Sequence, residues 1–432
     1  MPAEPASASS PISALELRQR RLAVALFMAM YACMTIDRSI MAVLVEPVRA
    51  EFNVSDTQIG LISSFAFALC FGVAGIPLGV LADRWNRRKL LAACLAIWSA
   101  LTICSGFANN FWQLLLARTG VGVAEAGGTP TALSMLSDLF PPDRRATAVS
   151  LMYLGGPVGT VIVFGGGGFL AAEYGWRTAF IVAGIPGLVL AAVTLMVLTE
   201  PKRGRFDGSG GDVYERVGLA ATASYLWTTP SLFHMTLAIT ACALVLSAEL
   251  MWLTAFFIRS HGMSLTSAGM LIAFGYGVIS AVGVAGGGFI ADRFMKPAAS
   301  PTRVLTISCI FSIPALLILV LSPSLVFAMI GLSLWSITAS MWYGPAYGLC
   351  QNLTPPKMRA TLSAIIYFCT GVIGFALGPQ IVGISSDLAA ASLGTESLRA
   401  ALVIPVLGHA FASWHYYRAG QSVLRECHQL AA

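Results

Sequence analysis

The stretch Gly79-Val-Leu-Ala-Asp83-Arg84-Trp-Asn86-Arg87-Arg88-Lys89 ends an apolar run on a burst of charge. A shorter copy, Gly288-Phe-Ile-Ala-Asp292-Arg293, ends another apolar run 209 residues later. Upstream of both, the spacing is kept: Ser55, Thr57, Gly60 and Phe65 correspond to Ser264, Thr266, Gly269 and Phe274 without a gap. A second anchor, Pro141-Pro142-x-x-Arg145-Ala146-Thr147, returns as Pro355-Pro356-x-x-Arg359-Ala360-Thr361 at an offset of 214. Pro130 and Pro345 agree with that offset within one residue. Three matches in the same order make the chain two parallel repeats of about 200 residues, the pattern of two bundles facing each other across a central site.

Composition names the solvent around those bundles. Of the 432 residues, 57% are hydrophobic and 11% charged, against about 25% charged in a soluble domain. A soluble surface cannot hide that much apolar area, but lipid tolerates it. A bilayer core asks for about 20 mainly apolar residues per helix. The chain offers twelve such windows, near 20–45, 57–82, 88–108, 111–138, 145–171, 176–198, 232–258, 266–291, 302–322, 325–352, 358–386 and 397–418. Of the 26 Lys and Arg, 20 fall on one side of this alternation, 4 on the other (Arg49, Arg177, Arg259, Arg399), and Arg38 and Arg118 lie within helices. The positive-inside rule then puts both termini in the cytoplasm, which needs an even number of passes. The expectation is an all-α membrane protein of twelve transmembrane helices in two six-helix bundles. Its parts are a disordered cytoplasmic tail (1–20), an N-terminal bundle (21–199), a cytoplasmic linker (200–231), a C-terminal bundle (232–418) and a cytoplasmic tail (419–432).

Other classes find little support. The net charge of +6 is spent on membrane topology, so no nucleic-acid partner is expected. The nine cysteines are scattered, with no Cys-x-x-Cys and no Cys/His cluster in sequence, and read as packing residues; neither metal nor cofactor is implied. The first 21 residues lack the apolar core of a signal peptide. Gly165 to Gly168 has no following Lys-Ser/Thr and is no phosphate loop. Asn53-Val-Ser55 matches a glycosylation sequon, but Ser55-x-x-Gln58 is a sufficient helix cap. No nucleophile–base pair stands within the helices, which argues against an intramembrane enzyme. His409 and His415, six apart near the end of the last span, read as interfacial. A non-transporting receptor would not need two gate loops.

In the opening stretch, Gly79 allows a close helix contact. Asp83 sits at the membrane edge, where it can meet a helix N-terminus or an Arg. The Arg cluster anchors the loop at the inner leaflet. The whole pattern, Gly-x-x-x-Asp-Arg-x-x-Arg-Arg, resembles the loop between the second and third helices of the major facilitator superfamily, and the resemblance runs from about Arg21 to Arg418. Asp37-Arg38, Gly120-Val-Gly-Val-Ala-Glu125-Ala and Ser137-Asp138-Leu-Phe-Pro-Pro-Asp-Arg-Arg-Ala-Thr are similar to its spinster-like, lipid-transporting branch. The resemblance implies a cytoplasmic gate built from Gly79, Asp83, Arg84, Arg87, Arg88 and Asp138, with Asp138 a partner for Arg87 or Arg88. Asn86 stands where the family usually has Gly, and can also take a left-handed turn. The second copy lacks the Arg pair, which suggests an asymmetric gate. Gly156-Pro157-Val-Gly159 only partly resembles the Gly-Pro motif of antiporters, which leaves the transport direction open.

Five ionisable residues fall well inside spans: Asp37, Arg38, Arg118, Glu125 and Glu249. Asp or Arg at mid-span costs about 2.5–3.5 kcal/mol on insertion scales, so such groups line a wet cavity or pair up. Counting the helical rise from opposite ends puts Asp37 and Arg118 at similar depth in the outer half. Glu125, seven residues beyond Arg118, shares its face near the midplane. Asp37 and Arg38 point about 100° apart and cannot pair with each other. Asp37 and Glu125 are candidate proton-coupling residues, a role the spinster-like resemblance also implies; the alternative is a static Asp37–Arg118 pair pinning two helices. Arg38 and Arg118 could hold an anionic headgroup, and Glu249 a cation or a polar neighbour. Tyr153, Trp252, Trp342, Tyr343 and Tyr367 are further candidate substrate contacts, with Tyr31 and Tyr347 beside them. Pro130, Pro157, Pro345 and Pro379 read as kinks. The chain is therefore expected to be a monomeric secondary transporter of the plasma (inner) membrane, proton-coupled and working by alternating access. The resemblance implies an amphipathic lipid substrate, such as a lysophospholipid or sphingoid compound; a small organic anion such as a sugar acid is the other reading.

Overall fold

The computed structural model describes residues 14–141, 148–149, 151–203, 218–294, 300–355 and 358–431. Among the described residues the helices group into twelve passes. They are α1 (Ala14–Phe52), α2 (56–84), α3 (Arg87–Ser105), α4 (111–139), α5 (Leu151–Tyr174), α6 (Trp176–Val197), α7 (Pro230–His261), α8 (265–294), α9 (Ser300–Leu321), α10 (Leu325–Asn352), α11 (359–393) and α12 (397–431). α1 to α6 form one bundle and α7 to α12 the other. The outer faces carry exposed Trp112, Leu116, Met196, Phe311, Val326 and Leu407, a surface that suits lipid.

The repeat read from sequence reappears as matched irregularities. α2, α5, α8 and α11 each contain a π-helical turn, at Leu61–Phe65, Ile162–Gly167, Ala273–Val278 and Cys369–Phe375. α4 breaks after Glu125 and restarts at Gly128; α10 breaks after Thr338 and restarts at Tyr343. Pro130, Pro157 and Pro345 are each the third residue of a restarted segment. A helix leaves its first four N–H groups unbonded, so proline costs nothing there. These three are helix starts, not kinks in continuous helices; Pro379 alone of the four sits inside one.

Three other expectations change. The polar linker contains a helix, Leu219–Thr228, whose Tyr225 hydroxyl donates to Leu353 O at 3.1 Å. The N-terminal tail is helical from Ala14, and α12 continues through the C-terminal tail to Ala431. There Glu426 accepts from Ser231 N and Oγ at 3.1 and 2.6 Å, capping the start of α7. Asn86 is extended (φ −70°) and caps α3 by accepting from Lys89 N at 2.9 Å, so the left-handed turn is not used. Ser55 and Gln58 do form the reciprocal cap of α2.

The termini lie at one end of the molecule; the opposite, distal end carries the α1–α2, α5–α6, α7–α8 and α11–α12 connections. Among the described residues, the hydrogen bonds and ion pairs between the two halves are all at the distal end. Toward the terminal end the described parts of α2 and α8 leave open space beside their glycines. A Cβ added at Gly75 or Gly79 of α2, or at Gly286 of α8, would meet nothing within 4 Å. The close helix contact expected at Gly79 is therefore not made in this conformation.

Candidate functional site

Mid-span, α1 and α4 cross with their charges interlocked. Arg38 Nε donates to Glu125 Oε1 at 2.6 Å. Arg118 Nη2 donates to the main-chain carbonyl of Asp37 at 2.6 Å, and Thr102 Oγ1 of α3 donates to Asp37 Oδ1 at 2.6 Å. The static carboxylate–guanidinium pair considered for Asp37 and Arg118 is thus replaced by a carbonyl contact. Side-chain direction explains the outcome. Side chains lean toward the N-terminus of their own helix, so Arg38 on α1 reaches back toward the terminal end. Glu125 lies about two turns nearer that end than Arg118, because α4 runs the opposite way.

Burial separates the members. The Glu125 side chain is 0% exposed and Arg38 38% exposed, while Asp37 and Arg118 are sealed. The second Glu125 oxygen and two nitrogens of Arg118, Nε and Nη1, have no hydrogen-bond partner. Buried polar groups are rarely left so, and a functional site is one of the few settings that retains them. Phe67 and Phe71 of α2 stack below the Arg38 guanidinium, with ring centroids 5.8 and 4.8 Å from it.

Aromatic side chains extend this site along the gap. Tyr31 and Tyr153 meet edge to face at 4.8 Å on the N-terminal side. Tyr347 and Tyr367 stack at 5.3 Å on the other, and Tyr367 and Phe368 are exposed. Trp342 is buried beneath Tyr343, with their rings 4.1 Å apart. Two expected substrate contacts need correction. Trp252 is fully buried and its Nε1 donates to Pro379 O at 3.0 Å, so it holds α7 to α11. Glu249 is also fully buried, and neither carboxylate oxygen has a hydrogen-bond partner. It stands seven residues from Cys242 on α7, hence on nearly the same face, which packs against α9 and α12.

The charge-rich end of α2 builds a clasp within the N-terminal half. Arg87 is buried. It bonds Asp138 Oδ2 of α4 at 2.5 Å, Glu200 Oε1 at 2.8 Å, Ser134 O and Oγ at 3.2 and 3.0 Å, and Pro201 O at 2.9 Å. Arg88 N and Nη1 donate to Glu200 Oε2 and Leu198 O at 2.9 and 3.2 Å. Asp138 is therefore the partner of Arg87. Glu200 carries as much of the clasp and was missed, because it sits in the polar stretch read as linker. Arg84 is exposed, and the side chain of Asp83 lies outside the described residues, as does Arg145.

A different network closes the distal end, where the sequence shows only isolated outer charges. Asp56, at the first turn of α2, accepts from Arg259 Nη1 and Nη2 of α7 at 2.7 and 2.8 Å and from Ser386 Oγ of α11 at 2.7 Å. Arg259 Nε also donates to Glu46 at 2.7 Å, and Arg49 Nε lies 3.2 Å from Asp56. Asp387 accepts from the N–H groups of Asp56 and Thr57 at 3.0 and 2.8 Å, capping α2 from the other half.

Two bundles, a gap open at one end and the Gly-x-x-x-Asp-Arg signature meet in a known family: residues 27–379 match the sequence profile of the Major Facilitator Superfamily. The chain belongs to the major facilitator superfamily. It is a transporter and not an enzyme. It is 30% identical to an MFS-type efflux pump of Mycolicibacterium smegmatis, over 86% of this chain and 85% of that one. It is 29% identical to Protein spinster homolog 1 of Homo sapiens, over 82% of this chain and 70% of that protein. It is 27% identical to the sphingosine-1-phosphate transporter SPNS2 of Danio rerio, over 84% and 75%. Among solved structures, a bacterial homolog of the human lysosomal transporter spinster, inward-facing and unoccupied, matches with a TM-score of 0.86. That structure is 27% identical, and the match covers 97% of this transporter and 99% of that chain.

Proposed function

We propose that this transporter moves an anionic amphipathic lipid, of lysophospholipid or sphingoid type, together with protons. The observation that carries the reading is the Arg38–Glu125 pair: one partner open to the gap, the other sealed. With Glu125 ionised, Arg38 is held by its carboxylate. When Glu125 takes a proton the Coulomb tie is lost, and the guanidinium is free to bind a carboxylate or phosphate in bidentate fashion. Proton and anion then favour each other's binding, which is reciprocal coupling. Asp37, held by Thr102 and backed by Arg118, is the second proton-coupling residue. Arg38, Tyr153, Tyr343 and Tyr367 face the substrate. The exposed Phe368 and the Phe67–Phe71 stack give an apolar chain somewhere to lie, and the SPNS2 relative is named for a lipid of this class.

The cycle follows from the two ends. With the basic end cytoplasmic, the distal network is the outer gate and is shut here, while the Gly79, Asp83, Arg84, Arg87, Arg88 and Asp138 region is the inner gate and is open. A small organic anion would use the same Arg38 chemistry but has no need of the apolar walls. The test is a proteoliposome panel of lysophospholipids and sugar acids, with and without an inward proton gradient. The reading expects movement of a lysophospholipid and its loss in Arg38→Ala. Movement of sugar acids alone would reverse the substrate assignment.

A further inference from the structure

Behind the gap, the C-terminal half buries a sulfur–imidazole cluster that the transport site does not use. Cys242 of α7 and Cys309 of α9 bring their Sγ atoms to 3.7 Å. His409 of α12 has a ring nitrogen in the same group, with all three ligand-type atoms within 4.8 Å of one another. Tyr416 Oη lies 3.8 Å from Cys242 Sγ. All four side chains are buried. Trp335 Nε1–H donates to His409 Nε2 at 3.1 Å. A nitrogen that accepts a hydrogen bond carries no proton, so the neutral ring keeps its proton on Nδ1. That Nδ1 is buried and without a hydrogen-bond partner.

A soft metal ion and a redox-active thiol pair both draw on such a donor set. The sulfur spacing suits a metal, since a tetrahedral site with metal–sulfur bonds near 2.3 Å has edges of about 3.8 Å. The imidazole decides against it. A metal-bound histidine turns its second N–H toward an acceptor, whereas Nε2 here faces a donor. Binding a metal through Nδ1 would strip both ring protons. A proton fixed on Nδ1 is instead suited to stabilise negative charge on a neighbouring sulfur, which is how cysteines become nucleophilic.

We propose that Cys242 and Cys309 are a redox pair that forms a reversible disulfide, with a hydroperoxide as oxidant. Cys242 attacks the peroxide as thiolate; the O–O bond breaks, giving a sulfenic acid on Cys242 and, with hydrogen peroxide, one water once the displaced oxygen takes the thiol proton. Cys309 sulfur then attacks the sulfenic sulfur; the S–O bond breaks, the Cys309 proton joins the departing hydroxide, and a second water leaves. Two electrons pass from the thiols to the peroxide. The bond ties α7, a helix that carries the distal Arg259, to α9.

The test uses full-length purified protein in detergent. Hydrogen peroxide is added and quenched with catalase, and the protein is denatured, alkylated, digested and read by mass spectrometry. A linked Cys242–Cys309 peptide is expected, with seven of the nine cysteines alkylated and full reversal by dithiothreitol. Trp335→Phe, which removes the donor that fixes the tautomer, should slow bond formation at least about tenfold. Cys309→Ser should leave a Cys242 sulfenic acid that dimedone traps. Nine alkylated thiols after oxidation, an unchanged rate in Trp335→Phe, or one stoichiometric metal ion protecting both thiols until a chelator is added would each overturn the proposal.

Discussion

The two ends of this transporter spend charge in opposite ways. At the terminal end, Arg87 binds Asp138, Ser134, Glu200 and Pro201, all in or next to the N-terminal half. At the distal end, Asp56 of the N-terminal half is bound by Arg259 and Ser386 of the C-terminal half. The first network makes one bundle rigid and the second joins two bundles. Interactions inside a body that moves as a unit cost stability when removed, whereas those between bodies shift the balance of conformations. The glycines agree. At the distal end Gly383 backs onto Asp56 O, while Gly79 faces open space.

The difference can be broken by mutation, and the largest effect is expected at Arg87. Arg87→Ala removes all five hydrogen bonds of a buried guanidinium, two of them to carboxylates, and should cost about 3–5 kcal/mol of stability. Thermal unfolding in detergent reads it, and Arg87→Lys should not restore it, because an ammonium cannot span the same acceptors. Next comes Arg259→Met, which should leave the melting temperature nearly unchanged but raise outward-open population at least about tenfold, equal to about 1.4 kcal/mol. Labelling of a cysteine placed at Gln380 by an impermeant maleimide reads that shift. A large loss of stability without added labelling would erase the distinction between the ends. A smaller effect is expected for Glu200→Gln, about 1 kcal/mol, because shape and hydrogen bonds survive and only charge assistance is lost. The smallest is Trp252→Phe. It should cost about 0.5 kcal/mol through the lost bond to Pro379 O, with the apparent substrate affinity unchanged.

Much of this arrangement was legible in the sequence. The twelve passes fall within a few residues of the windows drawn from hydropathy, apart from the longer helices at both chain ends and the distal extension of α11. The two-fold repeat survives in the structure as paired π-helical turns and paired breaks in α4 and α10. Depth along a span was also readable: Asp37 and Arg118 do meet at one level. Azimuth between helices was not. Helical rise places Arg38 near the acids of α4 but does not tell that its side chain leans back to Glu125. Thr102 was invisible for the same reason, since a single threonine in an apolar helix carries no pattern. Glu200 was hidden by its polar setting, and Trp252 was misread because helix membership alone does not say which face meets the gap.

We propose above that protonation of Glu125 releases Arg38 for the substrate. The most direct test is lysophospholipid uptake into proteoliposomes carrying an internal pH dye, comparing wild type with Glu125→Gln under an imposed proton gradient. Wild type is expected to accumulate substrate while the lumen acidifies. Glu125→Gln should equilibrate substrate without responding to the gradient and without moving protons. Gradient-driven accumulation by Glu125→Gln, with wild-type acidification, would contradict the proposal.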